Sequence, residues 1–217
     1  MSTISTEDYV KAVYKLEEDG QKATTSALAA HLQVADASIT DMIKKLSEKG
    51  LVHYERYQGV ALTAKGRKMA LSILRRHRLW EMFLVAHLGY SWDKVHDEAE
   101  RLEHVTSEDL ERHLDETLGF PAVDPHGDPI PSKGGVVRNE SGSALASCEV
   151  GDVVTIFRVS DVSSELLQHA TRIGLALNSK LIIKEKKSFD GSMLVKIGSK
   201  QQFISKQVAE AIFVQDA

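Results

Sequence analysis

The four prolines of this 217-residue chain all fall within one stretch, "FPAVDPHGDPIP", which covers residues 120–131. Glycine and serine are frequent as far as residue 145, so residues 127–145 are predicted to form a linker between domains. Apolar residues recur at helical spacing before this segment, whereas short runs rich in Val, Ile and Phe follow it. The chain is therefore expected to be mainly α-helical, with a small β domain at its C-terminal end.

Residues 1–63 have the order of a winged helix-turn-helix domain, with three short helices followed by a β-hairpin on either side of Gly59. The third helix, which begins after the turn "VADA", is the one expected to enter a DNA major groove. A three-helix core with a hairpin and no role in DNA binding is the alternative, because helix-turn-helix patterns are weak without context. The predicted DNA contacts are Ser38, Thr40, Asp41, Lys44 and Lys45 on the third helix and Arg56 and Tyr57 in the wing.

Residues 64–126 are predicted to form a second, all-helical domain. A long helix begins at Thr63, a shorter one is capped by Ser91, and a third is capped by Ser107. Residues 76–126 contain 12 acidic and 5 basic side chains, a balance that suits cations better than nucleic acid. The apolar end of the long helix is either a dimer surface or part of the intrachain core, and its residues are Trp80, Phe83 and Leu84.

The stretch "HDEAERLEHV", residues 96–105, places four side chains of metal-ligand type on one face of its helix. Their spacing is i, i+4, i+7 and i+8, and they are His96, Glu100, Glu103 and His104. Leu102 and Val105 are expected to hold this helix against the core. Histidine with carboxylate suits Mn, Fe, Zn, Co or Ni. The alternative is a solvated, salt-bridged helix face, which accounts for the remaining charges of the stretch.

Residues 146–217 are predicted to form a small β-barrel of the SH3 type, with one helix, "SSELLQHATRIGL", between its first two strands. The single cysteine, Cys148, excludes an intrachain disulfide and a thiolate cluster for metal. The start, "MSTISTEDYV", lacks the pattern of a secretory signal, and the sequence has no run of about 18 apolar residues that would span a membrane. A cytoplasmic protein is therefore expected.

The order of these motifs resembles the diphtheria toxin repressor family of metal-dependent transcriptional regulators. The resemblance covers nearly the whole chain and depends on "TEDYVKAVYKLEE", "RRHRLWEMFL", "KVHDEAERLEHV" and "DPHGDPIP". It implies a homodimer that binds a palindromic operator in double-stranded DNA when Mn(II) or Fe(II) is bound, and that represses metal-uptake genes. It also implies a C-terminal SH3-like domain, in agreement with the strands predicted above.

By the same resemblance, a primary metal site takes one ligand from the first helix and three from the acidic helix; these are Asp8, Glu100, Glu103 and His104. Iron sensors of the family have a thioether and a thiol where this chain has Asp8 and Glu100, so Mn(II) is the implied corepressor and Fe(II) the alternative. Zn(II), Co(II), Ni(II) and Cd(II) are expected to bind in vitro. Lys11 stands where some manganese regulators have a glutamate, which argues against their two-metal cluster. The implied secondary ligands are His77, Glu81, His96, Asp124, His126 and Asp161.

Two other classes of function remain open at this point. A metal-dependent hydrolase would use the pair His96–Asp97, but the sequence lacks a partner histidine pair and a glycine loop for phosphate. A winged-helix regulator with a purely structural acidic helix would bind DNA without metal. The resemblance favours the metal-dependent regulator, with no enzymatic activity, no membrane partner and no small organic substrate.

Overall fold

The computed structural model of the protein describes residues 6–55, 59–138 and 142–217. Its contacts divide the chain into two units. The first unit contains the residues up to His77 together with 103–106 and 131–136, and the second contains 78–102, 107–130 and 137–217. Within the described ranges, every helix is too short or too polar to cross a lipid bilayer.

The first unit contains three helices and a two-stranded hairpin. Their bounds are α1 (Thr6–Glu18), α2 (Thr25–Leu32), α3 (Asp36–Glu48), β1 (Val52–Glu55) and β2 (Gly59–Leu62). Helix α2 contacts both α1 and α3, while β2 contacts α1 and β1 contacts α3. Thr24 caps α2, because its hydroxyl oxygen accepts the N–H of Ala27. The predicted winged helix-turn-helix order is confirmed.

Apolar residues at helical spacing bury one side of α3, whereas α1 is buried on all sides between Tyr9 and Tyr14. Val10 and Val13 are fully buried on α1, as are Ile39 and Leu46 on α3, and each such side chain stabilises the fold by about 1.5–3 kcal/mol. The opposite side of α3 is exposed and carries the predicted DNA contacts Ser38, Thr40, Asp41, Lys44 and Lys45. The other two predicted contacts, Arg56 and Tyr57, lie outside the described residues.

Three further helices follow the hairpin: α4 (Ala64–Leu88), α5 (His96–Glu103) and α6 (Glu108–Thr117). Helix α5 is shorter than predicted, because residues 91–95 form a turn in which the N–H of Lys94 donates to the carbonyl of Ser91. Ser107 caps α6 as expected, since its hydroxyl accepts the N–H of Leu110. The signals for a helix start were therefore reliable at Ser107 and misleading at Ser91.

The expected packing of α4 and α5 is only partly correct. Leu84 is buried against Val95 and Ala99, with Leu102 packed on the same cluster. The intrachain alternative thus holds for Leu84. Val105 was expected to anchor the acidic helix, but it lies beyond the end of α5 and is 76% exposed. That prediction is wrong, because the helical spacing does not continue as far as Val105.

The C-terminal part of the second unit is a six-stranded antiparallel sheet. Its strands are β3 (Ser143–Ala144), β4 (Val153–Val159), β5 (Lys180–Lys186), β6 (Met193–Ile197), β7 (Lys200–Ile204) and β8 (Ile212–Asp216), in the order β3-β8-β4-β5-β6-β7. Helix α7 (Ser164–Ile173) connects β4 to β5 as predicted. A short helix, α8 (Lys206–Glu210), interrupts the last run that was predicted to be strand. Cys148 is buried in the apolar core of this domain.

The proline-rich segment, predicted to be a loop, is attached to strand β4. The N–H of Val159 donates to the carbonyl of His126 at 2.8 Å. Gly127 has a φ of +93°, and a Cβ there would lie 2.0 Å from the carbonyl oxygen of Phe157, so only glycine fits. Asp124 closes the turn, because its Oδ1 accepts the N–H groups of His126 and Asp128. The segment therefore holds Asp124 and His126 in fixed positions.

Gly66 lies in the first turn of α4, where alanine would ordinarily be the better helix former by about 1 kcal/mol. A Cβ there would lie 1.9 Å from the carbonyl oxygen of Leu51. We therefore expect Gly66→Ala to destabilise the protein by about 1–3 kcal/mol, measured by thermal unfolding. The control is Lys68→Ala at an exposed position of the same helix, which should change stability by less than about 0.5 kcal/mol. An unchanged or higher unfolding midpoint for Gly66→Ala would contradict the close contact.

Candidate metal centre

Histidine and carboxylate side chains form one cluster in each unit. The α1 cluster consists of Asp8, Glu103 and His104 in the first unit, with ligand atoms within 4.8 Å of one another. The loop cluster consists of Glu81, Asp124 and His126 in the second unit, and its ligand atoms also lie within 4.8 Å of one another. Each cluster mixes imidazole nitrogen with carboxylate oxygen.

His104 is the centre of the α1 cluster. Its Nε2 lies 2.7 Å from Asp8 Oδ1 and 3.5 Å from Glu103 Oε1, while its Nδ1 lies 2.7 Å from Glu7 Oε2. Burial alone would lower the pKa of His104, but the carboxylates of Glu7, Asp8 and Glu103 outweigh it and raise that pKa above the usual value. The imidazole is thus surrounded by negative charge on both edges of its ring.

Glu103 is fully buried, and each of its carboxylate oxygens contacts a nitrogen of another side chain. Its Oε1 accepts a hydrogen bond from Lys11 Nζ at 2.6 Å, and its Oε2 lies 2.6 Å from His77 Nδ1. Lys11 and His77 are themselves almost completely buried, at 5% and 2% exposure. Lys11 therefore places its ammonium group directly against the buried Glu103 carboxylate.

Glu100 lies one helical turn before Glu103 on α5. In the second unit its Oε1 is 3.7 Å from His96 Nε2, and the other ring nitrogen of His96 is 3.6 Å from Glu81 Oε1. Glu81 is almost fully buried on α4. His96 thus lies between a half-exposed and a buried carboxylate, next to the loop cluster.

The loop cluster is assembled by α4 and the proline-rich segment. His126 Nε2 donates to the carbonyl of Trp92 at 2.8 Å, and the ring of Trp92 stacks on the imidazole. The other nitrogen, Nδ1, lies 3.8 Å from Asp124 Oδ1 and 3.9 Å from Glu81 Oε2. Arg78 is close to the opposite oxygen of Asp124, at 3.7 Å. His126 therefore presents Nδ1 to two buried carboxylates.

The pKa values of the loop cluster follow from this burial. Burial, together with the charges of Glu81 and Asp128, raises the pKa of Asp124 to about 6, although the neighbouring His126 lowers it. Burial would lower the pKa of His126, but Asp124 and Glu81 outweigh it and raise the pKa to about 9. His126 consequently carries a proton at neutral pH, in a position where a metal would have to displace it.

The donor set of both clusters fits a divalent transition metal. Nδ1 of His126 is buried, and within the described part of the chain it has no hydrogen-bond partner. Such an atom is costly unless it is satisfied by a ligand. All donors are nitrogen or oxygen, because Cys148 lies in the core of the β domain. Nitrogen and oxygen donors suit Mn(II), Fe(II) and the later divalent metals.

Six of the ten residues predicted as ligands belong to these two clusters. His77 and His96 each contact a cluster member, and Glu100 contacts His96. Asp161 is half-buried before α7 and is not part of any group of three such side chains within ligand reach in the described ranges. That region of the sequence offered the weakest match to the family pattern. Glu7 was missed, although the acidic pair at the start of α1 is visible in the sequence. Acidic residues in a first helical turn are common without any ligand, so this signal is weak.

Three family profiles match consecutive parts of the chain. The profile "Iron dependent repressor, N-terminal DNA binding domain" matches residues 1–60. "Iron dependent repressor, metal binding and dimerisation domain" matches residues 63–132, and "FeoA domain" matches residues 144–216. Both metal clusters draw most of their residues from the second of these segments, with Asp8 added from the first.

Known repressors are similar to this chain over different lengths. The iron-dependent repressor IdeR of Mycobacterium leprae is 39% identical over 127 residues, which cover 58% of this chain and only 55% of that protein. The diphtheria toxin repressor of Corynebacterium glutamicum is 31% identical over 189 residues, covering 82% of this chain and 83% of that protein. The solved structure of a manganese-dependent transcriptional repressor in complex with manganese is 40% identical, with a TM-score of 0.91 over 98% of this chain and 100% of that one. The chain therefore belongs to the diphtheria toxin repressor family, with DNA-binding, metal-binding and dimerisation, and FeoA domains in that order.

Proposed function

We propose that the protein is a metal-dependent transcriptional repressor of metal-uptake genes, with Mn(II) as its main corepressor and Fe(II) as the alternative. It acts as a homodimer on a palindromic operator in double-stranded DNA, and it has no enzymatic activity. The proposed location is the cytoplasm, where such an operator is found. The family, whose second domain is described as a dimerisation domain, supports this assignment.

One observation carries the proposal. Asp8 belongs to α1 of the DNA-binding fold, and its Oδ1 lies 2.7 Å from Nε2 of His104, which follows α5. Ligand-type side chains from distant parts of the sequence thus meet beside the helices that would contact DNA. A solvated, salt-bridged surface does not explain this, because the third member, Glu103, is fully buried.

The proposed primary ligands are Asp8, Glu100, Glu103 and His104. Glu100 is included because it lies one turn before Glu103 on α5. The proposed secondary ligands are His77, Glu81, His96, Asp124 and His126. His77 is included because it precedes Glu81 by one turn of α4. Asp161 is omitted, since it is not grouped with these side chains among the described residues.

The proposed mechanism depends on what holds α1. Lys11 already ties α1 to Glu103, so the part of α1 that a ligand would fix is its first turn, which carries Asp8. A bound divalent cation would add positive charge where Asp8 and Glu103 already converge on His104, and it would hold Asp8 in that position. Because α1 contacts α2 and α2 contacts α3, fixing Asp8 also fixes the orientation of the exposed side of α3.

Orientation of α3 matters because a homodimer presents two such helices to one face of DNA, and their spacing controls affinity. The proposed DNA contacts are Ser38, Thr40, Asp41, Lys44 and Lys45, with Arg56 and Tyr57 from the wing. By linkage, a metal that strengthens DNA binding must itself be bound more tightly when DNA is present.

The first test is operator binding with and without metal. We expect Mn(II) to raise affinity for duplexes selected from a random pool by at least tenfold over chelator, about 1.4 kcal/mol, within the usual range of coupling energies. Asp8→Asn should remove this dependence, whereas Asp19→Asn, at an exposed position just after α1, should retain it. Fluorescence anisotropy measures both. Equal affinity in Mn(II) and in chelator would instead support a metal-independent winged-helix regulator.

The second test concerns metal choice. Carboxylate oxygens are hard donors that suit Mn(II), so we expect micromolar Mn(II) to activate operator binding at least as fully as Fe(II) in anaerobic titrations. The double change Asp8→Met and Glu100→Cys introduces soft sulfur donors, and it should shift the response toward Fe(II). A wild-type protein that responds to Fe(II) but ignores Mn(II) would show that these two positions do not set selectivity.

The third test measures how many protons are released when metal binds to the loop cluster. Because the pKa of His126 is raised to about 9, its proton is present at pH 7 and must leave when Nδ1 binds metal. We expect His126→Gln to reduce proton release by about one per chain at pH 7, and the difference to disappear as the pH rises through about 9. Calorimetric titration in buffers of different ionisation enthalpy measures this release. His53→Gln, at an exposed position of β1, is the control, and equal release by His126→Gln and wild type would refute ligation by His126.

A further inference from the structure

Glu7 contacts the imidazole of His104 on the edge opposite to the proposed metal position. Its Oε2 lies 2.7 Å from His104 Nδ1. On the other edge of the ring, Nε2 lies 2.7 Å from Asp8 Oδ1 and 3.5 Å from Glu103 Oε1. One ring nitrogen therefore faces a single carboxylate, and the other faces the two carboxylates of the α1 cluster.

A neutral imidazole has one N–H donor and one lone pair, and the hydrogen bond of one nitrogen decides which nitrogen is left to bind metal. Histidine ligands almost always donate the second N–H to a carboxylate, a carbonyl or water. Glu7 has the position that this arrangement needs. Among the described residues, its carboxylate is not part of the group of ligand atoms that includes Asp8, Glu103 and His104.

We propose that Glu7 is a positioning residue, whose carboxylate accepts Nδ1–H of His104 and so makes Nε2 the nitrogen that binds metal. This inference rests on the proposed function, because it requires His104 to be a ligand. Glu7 itself does not bind the metal. Its effect is to fix the tautomer and the orientation of the ring and to raise the basicity of Nε2.

A purely structural role would be different. Glu7 lies in the first turn of α1, where an acidic side chain stabilises a helix by about 0.3–1 kcal/mol through the helix dipole. Such a role would lower the thermal stability of a Glu7 variant equally with and without metal. It would not change the metal affinity of the folded protein or the nitrogen that binds metal.

The experiment uses the 217-residue chain with ¹⁵N-labelled histidine, titrated with ¹¹³Cd(II), a diamagnetic probe. In the wild type, we expect cadmium–nitrogen coupling at Nε2 of His104 and a proton on Nδ1. His104→Gln assigns the signals. Glu7→Leu removes the acceptor, and it should lower cadmium affinity at this histidine by about 10- to 100-fold. Glu7→Gln retains an oxygen acceptor of similar shape, and it should recover part of the loss. Thermal unfolding of each variant in chelator confirms that it is folded.

The outcomes separate this inference from the proposed function. Coupling through Nδ1, or a Glu7→Leu variant with unchanged affinity and unchanged nitrogen, would overturn the positioning role while His104 remained a ligand. Absence of coupling at either nitrogen of His104 in the wild type would overturn both the primary site and the role of Glu7. Loss of affinity in Glu7→Leu, together with a redistribution of the Nδ1 and Nε2 tautomers, supports the proposal.

Discussion

The rest of the first unit depends on the contacts of one buried carboxylate, that of Glu103. Its two oxygens lie 2.6 Å from Nζ of Lys11 on α1 and 2.6 Å from Nδ1 of His77 on α4. Glu103 is also the last residue of α5. Removing one partner from such a buried pair leaves an uncompensated charge and typically costs about 3–5 kcal/mol. Glu103 thus joins α1 to the first part of α4 within the first unit, in addition to the apolar contacts of α1.

The existing partners of Glu103 limit how this residue can bind a metal. Both oxygens of Glu103 already have hydrogen-bonding partners, Lys11 and His77. Ligation by Glu103 therefore requires that one oxygen bind both Lys11 and the metal, or that Lys11 move slightly. Asp8 and His104 are more exposed than Glu103, and they can adjust more easily. The free energy that couples metal binding to DNA binding comes from the adjustment of Asp8 and His104. These two side chains are sufficient, since typical coupling energies are only about 1–3 kcal/mol. A fold that rested entirely on metal would be unfolded, not merely inactive, in its absence.

The sequence predicted most elements and the ligand types, but not the direction in which each ligand points. Helical spacing correctly placed His96, Glu100 and Glu103 along one helix, because it depends on local geometry alone. It could not show that Glu103 turns toward Lys11, since that contact joins residues far apart in the chain. For the same reason Glu7 was missed, whereas Val105 was assigned to the core because the helical spacing was extended past the end of α5. The short helix α8 was also missed, because a helix of one turn in a run of β-forming residues has little periodicity.

The contact between Gly127 and strand β4 also determines when the loop cluster can form during synthesis of the chain. The carbonyl of His126 and the backbone at Gly127 lie directly against Phe157 and Val159, and domains of a growing chain generally fold from the N-terminal end. The winged helix-turn-helix and its α1 helix are therefore synthesised long before the strand that supports His126. A chain still on the ribosome can complete its DNA-binding fold while the loop cluster remains unassembled. The loop cluster, which we propose as a secondary metal site, therefore forms only after β4 has been synthesised.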